Sequence, residues 1–143
     1  MMEHRIPGLA RNMADVGAGL LTLPLDDLPD IAAVQMLHRG PTGVAVRLQL
    51  SMHDVADQVD ALIAWGEALP EPSAAGFEHQ DYIRLEVSGL VGGVRVTVWG
   101  HLRGPDLNDT ACFLSLPLDG ETHRLSLARL RALARHRAER VDA

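Results

Sequence analysis

The clearest pattern in this chain is an alternation of apolar and polar positions. Val44, Val46, Leu48 and Leu50 are separated by Ala45, Arg47 and Gln49. A period of two sends alternate side chains to opposite faces of a strand, so one face is buried and the other at least partly wet. Residues 31–38 form a preceding apolar run, and Arg39-Gly40-Pro41-Thr42-Gly43 supplies turn residues between the two. This predicts a hairpin. A second one follows the same logic. Ile83, Leu85 and Val87 alternate with Arg84 and Glu86, and Val94, Val96, Val98 and Gly100 alternate with Arg95, Thr97 and Trp99. Gly92-Gly93 suits the positive φ values of a tight hairpin turn. Trp99 is predicted on the face opposite the valines.

Two segments switch to helical spacing. Met52, Val55, Val59, Leu62 and Ile63 fall on one stripe, with Asp54, Asp57 and Asp60 beside it. Ser51 and Asp54 form a variant capping box at its start, and Pro70 and Pro72 follow its end near Ala68. Trp65, late in the stripe, is expected to anchor the helix to the sheet. Ser126 caps a final helix reaching about Val141, with Leu127, Leu130, Leu133, Ala134 and Val141 as its apolar positions. Residues 71–80 are predicted as a loop and 110–116 as a candidate fifth strand. Residues 1–30 resist assignment: Leu9, Met13, Val16 and Leu20 are loosely helical, but Gly17 and Gly19 weaken a helix interior. That segment reads as a short helix or an arm. Residues 31–143 read as a single α+β domain: a small antiparallel sheet of two hairpins with two principal helices, in the order β-β-α-β-β-(β)-α. Gly43-Val-x-Val and Gly93-Val-x-Val hint at a faint internal repeat.

Composition narrows the chemistry. The chain has 143 residues, enough to bury a core without a metal or disulfide staple. All 13 basic residues are arginine. Without lysine there is no Schiff-base or P-loop lysine. Cys112 is the single cysteine, which rules out an intramolecular disulfide; its place in an apolar run predicts a buried structural thiol. No apolar run is long enough for a membrane helix. The apolar stretch after Arg11 is bounded by acids and lacks a small-residue cleavage site, so a cytoplasmic protein without membrane partners is expected. Only Trp65, Trp99, Tyr82, Phe77 and Phe113 are aromatic, so the core is aliphatic and stacking platforms are scarce.

Charge is lopsided. Residues 124–141 carry six arginines, Arg124, Arg129, Arg131, Arg135, Arg137 and Arg140, against one acid, while the rest carries seven arginines against eighteen acids. The basic segment can neutralise the aspartate-lined helix, dock an acidic protein or a second copy of the chain, or contact phosphate. From Ser51 onward the order of elements is similar to that of double-stranded RNA-binding domains, with Arg124 and Arg129 flanking the start of the last helix. Asp54, Asp57 and Asp60 on the first helix, the lack of lysines and the missing loop histidine motif depart from that family's pattern. The seven histidines show no metal-binding spacing, and no nucleophile or nucleotide motif occurs, so no catalytic, metal or cofactor site is expected. The nearest polar clusters are His101 with Asp106 and Asp109, and His79 with Asp81, which would mark the site if the chain were a small enzyme. The leading expectation is a non-enzymatic protein–protein interaction or adaptor module that self-associates; a nucleic-acid-binding regulator using the basic helix is the alternative.

Overall fold

The computed structural model describes residues 5–39, 43–51, 55–104 and 107–142. Its elements are α1 (Arg5–Leu20), β1 (Ile31–Arg39), β2 (Gly43–Leu50), α2 (Val55–Ala68), β3 (Ser73–His79), β4 (Tyr82–Val91), β5 (Val94–Leu102), α3 (Leu107–Leu114), β6 (His123–Leu125) and α4 (Leu127–Asp142). A short 3-10 turn at Leu25–Asp27 links α1 to β1. The fold is α+β, but the sheet is larger than the pattern suggested and is mixed. Six strands lie in the order β1-β2-β5-β4-β3-β6, and β2 pairs with β5 in parallel. The expectation of an all-antiparallel sheet is corrected there. The two Gly-Val-x-Val stretches stand side by side in that parallel pair, Val46 beside Val96 and Leu48 beside Val98. Hairpins set only their own pairing; the joining of β2 to β5 depends on how α2 folds back over the sheet.

Both predicted strand pairs form antiparallel ladders, β1 with β2 and β4 with β5; the turn expected between the first two falls on residues 40–42, outside those described. β4 and β5 are joined by Gly92-Gly93, at φ 59° and 76°, with Val91 opposite Val94. The final helix also forms, and Ser126 Oγ accepts the Arg129 backbone N–H at 3.1 Å. The capping box proposed for Ser51 and Asp54 involves residues outside those described. Two local readings are corrected. Residues 71–80, predicted as a loop, contain β3, whose Ala74 and Gly76 face the helices between β4 and β6. Its small residues carry no apolar alternation, so the strand exists through its neighbours. Residues 110–116 are not a strand. Residues 110–114 complete α3, in which Thr110, Ala111 and Leu114 are buried, and that spacing is helical. The helix ends with Ser115 at φ 55°, Ser115 N–H bonded to Cys112 O, and Leu116 N–H bonded to Ala111 O. This is a Schellman ending with serine in the position glycine usually takes, so the usual stop signal is missing from the sequence. Cys112, expected buried, is exposed on the outer side of α3.

The helices lie on one face of the sheet. α2 packs on β4 and β5, and α4 packs on α2 and α3. Between them and the sheet sits an aliphatic core of Val46, Leu48, Val59, Leu62, Ile83, Leu85, Val87, Val96, Val98, Leu130 and Leu133. Trp65 is buried with them, and its indole N–H donates to the Pro29 carbonyl at 3.0 Å, tying α2 to the segment that enters β1. Val16 of α1 is buried against the same core, at the end marked by the β4–β5 turn.

Candidate functional site

Because the helices cover one face only, the alternation of every strand leaves a second, open face. Strand pairing arranges it in rows. Gln35, Arg47, Thr97 and Ser88 form one row; Gln49, Trp99, Glu86, Ala75 and Arg124 form the next; His101, Arg84 and Phe77 form a third; and Tyr82 and His79 stand side by side beyond it. Ser88 and Thr97 join their hydroxyls at 2.9 Å. Three of the five aromatic side chains therefore stand on the uncovered face. They form a ladder: Phe77 to Tyr82 at 5.8 Å between centroids, Tyr82 to His101 at 4.4 Å, and His101 to Trp99 at 4.8 Å. His79 stacks on Tyr82 at 5.0 Å.

Guanidinium groups surround the ladder. Arg84 lies 4.8 Å over the Trp99 ring and Arg103 lies 5.8 Å over Tyr82, distances at which the ring quadrupole attracts a cation. Arg84 Nη2 is 3.4 Å and Arg47 Nη2 is 4.0 Å from Glu86 Oε2. The Nε and Nη2 atoms of Arg84 are shielded from solvent and make no hydrogen bond. Burial pushes the Glu86 carboxyl above its ordinary range, opposed by the positive charge of Arg47. Beside these groups is a recess of about 320 Å³, bounded by Arg47, Arg84, Glu86, Phe77 and the loop residues Gly120 and Thr122.

His101 and His79, the residues proposed for an enzyme site, are both in the ladder. Among the described residues neither imidazole is hydrogen-bonded to an acid or a hydroxyl. Asp106 lies outside the described residues, and Asp109 sits on α3, where it binds His136 Nε2 at 2.9 Å and Arg140 Nη1 at 2.7 Å. Burial, helped by the charge of Arg103, holds the His101 ring below its ordinary pKa. Between the folded value and the usual imidazole value of about 6.5, the unfolded chain binds the proton that the folded chain refuses. Stability is expected to fall as pH drops below that usual value, and the decline should stop once the folded ring also protonates. Replacing His101 by phenylalanine should flatten this part of a stability-against-pH curve measured by urea unfolding; an unchanged slope would contradict the assignment.

The six arginines of residues 124–141 are divided by the fold. Arg131 pairs with Glu67 of α2 at 3.2 Å, Arg140 pairs with Asp109, and Arg137 donates to Thr110 Oγ1 at 3.0 Å. Arg129 donates to the Phe113 carbonyl and lies 4.6 Å over its ring. Arg135 is exposed on α4. Arg124 is in β6, opposite Ala75, and belongs to the open sheet face. What sequence reasoning missed is this gathering of Arg47, Arg84, Glu86, Tyr82, Phe77 and Trp99. Each side's alternation was visible, but the order of strands that sets them side by side was not.

Among the described residues no three His, Cys, Asp or Glu side chains converge as a metal site would require, and no helix is long and apolar enough to cross a membrane. Comparisons with protein families, with curated proteins and with solved structures find no match to this chain.

Proposed function

We propose that this chain is a non-enzymatic protein–protein interaction module that pairs with a second copy of itself, edge to edge, through β1. The observation that carries this reading is the state of that edge. β1 is nine residues long, ends the sheet, and has β2 as its one strand partner. No proline or charged residue occurs from Ile31 to Leu37, Ala32, Ala33, Val34 and Gln35 are exposed, and the Val34 side chain is 65% exposed. Sheet edges are ordinarily blunted by charge, proline or shortness because their free N–H and C=O groups template pairing. The opposite edge, β6, is only three residues long. A two-fold axis perpendicular to the sheet would set β1 antiparallel to its copy, with the helices of both copies on one side and isologous contacts throughout. The arginines of α4 take no part in this interface, and several are already engaged within their own chain.

Light scattering at micromolar concentration tests it. The expected result is a dimer, at twice the mass of the chain, that persists from low to high salt, since backbone pairing and Val34 packing are not ionic. Val34→Lys and, separately, Ala33→Glu should give monomers with unchanged circular dichroism, because both side chains are exposed. A monomer in both salts overturns the proposal, as does a dimer that survives both substitutions.

A further inference from the structure

We propose that the open face of the sheet binds single-stranded nucleic acid. This inference is independent of β1 pairing and rests on what the face carries. The chain has a net charge of −6, yet the open side of the strands holds Arg47, Arg84, Arg95 and Arg124, with Arg103 following β5, against the one acid Glu86. Local charge opposite to that of the whole molecule focuses attraction on an anion at that place. The same charge argues against two such faces meeting as a dimer.

The aromatic ladder narrows the kind of anion. An acidic peptide would satisfy the guanidiniums and leave the rings unused. A polyanion whose units each carry a flat ring uses both: phosphates on arginine forks, bases on the rings. Duplex nucleic acid keeps its bases stacked within the helix, where rings standing on a sheet cannot reach them; a single strand can splay them out. The three ladder strands run side by side, so successive bases have successive rings to meet.

Arg84 supplies a local mechanism. Its Nε and Nη2 donors form one edge of the guanidinium fork, and both are without a hydrogen bond. Glu86 and Trp99 lie against that group, the nearer carboxylate oxygen at 3.4 Å from Nη2. Swinging Arg84 off Trp99 exposes the indole to a base and brings the fork to a phosphate in one movement. The recess of about 320 Å³ beside Arg47 and Phe77 gives room for that group. The movement gives up the Glu86 ion pair and the Trp99 contact, and the phosphate in return satisfies the two donors that lack a hydrogen bond in the free protein.

The test is fluorescence anisotropy of labelled single-stranded oligo-dT and oligo-U, with a duplex of the same length as competitor, beginning at about 50 mM salt where phosphate contacts are strong. The expected result is binding to a single strand that weakens with salt and is poorly competed by duplex. Tyr82→Ala should weaken it about tenfold, the loss of one stacked base. Arg47→Met and Arg84→Met should each reduce the steepness of the salt dependence. Tyr82→Leu keeps apolar packing if the alanine variant unfolds, and should show the same weakening. Arg131→Met with Arg135→Met, on α4, should leave binding unchanged. No binding at low salt overturns the proposal. So does equal preference for duplex, binding indifferent to both Tyr82 variants, or loss confined to the α4 variants.

Discussion

Replacing Leu130 by alanine is expected to destabilise the chain by about 2–5 kcal/mol, the range for removing a buried leucine and leaving a cavity. Leu130 is fully buried, as is Leu133 one turn further on. α4 is the most polar helix of the fold, and its attachment depends on a narrow stripe: Leu127, Leu130, Leu133 and Ala134. The two helices approach closely at Gly66 of α2, where an added Cβ would stand 2.7 Å from Leu127 Cδ1. So tight a junction has little freedom to collapse into a void. Domains are stable by only about 5–15 kcal/mol, so one truncation removes a large share. Urea unfolding of the variant measures it. A loss under about 1 kcal/mol would place Leu130 outside the core. By contrast, Arg131→Ala removes only the exposed pair with Glu67 and should change stability by less than about 1 kcal/mol.

The second large effect is expected at the β4–β5 turn, where two adjacent glycines differ. Both have positive φ, 59° at Gly92 and 76° at Gly93. Alanine at either carries the cost of the left-handed region, about 1–2 kcal/mol. At Gly93 nothing stands within 4 Å of an added Cβ. At Gly92 the Cβ would lie 2.5 Å from the Asp15 carbonyl oxygen, a backbone atom of α1. Gly92→Ala must therefore push α1 off the turn as well, withdrawing Val16 from the core. The expected result is a larger loss for Gly92→Ala than for Gly93→Ala in urea unfolding, with faster proteolytic cutting within residues 5–20 in the first variant alone. Equal losses and equal cutting would mean that α1 does not depend on this contact.

How much of the candidate site could be read in advance follows from the range of each signal. Placing Trp99 opposite the valines needed only the alternation of one strand. The positions of Arg47, Arg84 and Glu86 on polar faces were equally local. Their meeting was not, because Arg47 is on β2 and comes near Glu86 of β4 only through the parallel pairing of β2 with β5. Phe77 was hidden for another reason: its strand lacks an apolar alternation, so it looked like a loop. The basic C-terminal segment was conspicuous as a run of charge. The fold then separates Arg124, on the sheet, from the arginines of α4 that bind Glu67, Asp109 and Thr110 within the chain.

By itself the sequence determined the two hairpins, the central and final helices, the aliphatic character of the core, and that neither lysine chemistry nor an intramolecular disulfide is possible. These depend on period, capping residues and counts, which act over a few positions. Tertiary structure alone decided that β3 is a strand, that 110–114 turns into a helix, and that one face of the sheet stays open. A short apolar run such as Ala111 to Leu116 fits a strand or a helix equally well. Only the packing of Thr110, Ala111 and Leu114 against the rest selects the helix. Which side chains become neighbours depends on strand order, and strand order is a property of the whole chain folding back on itself.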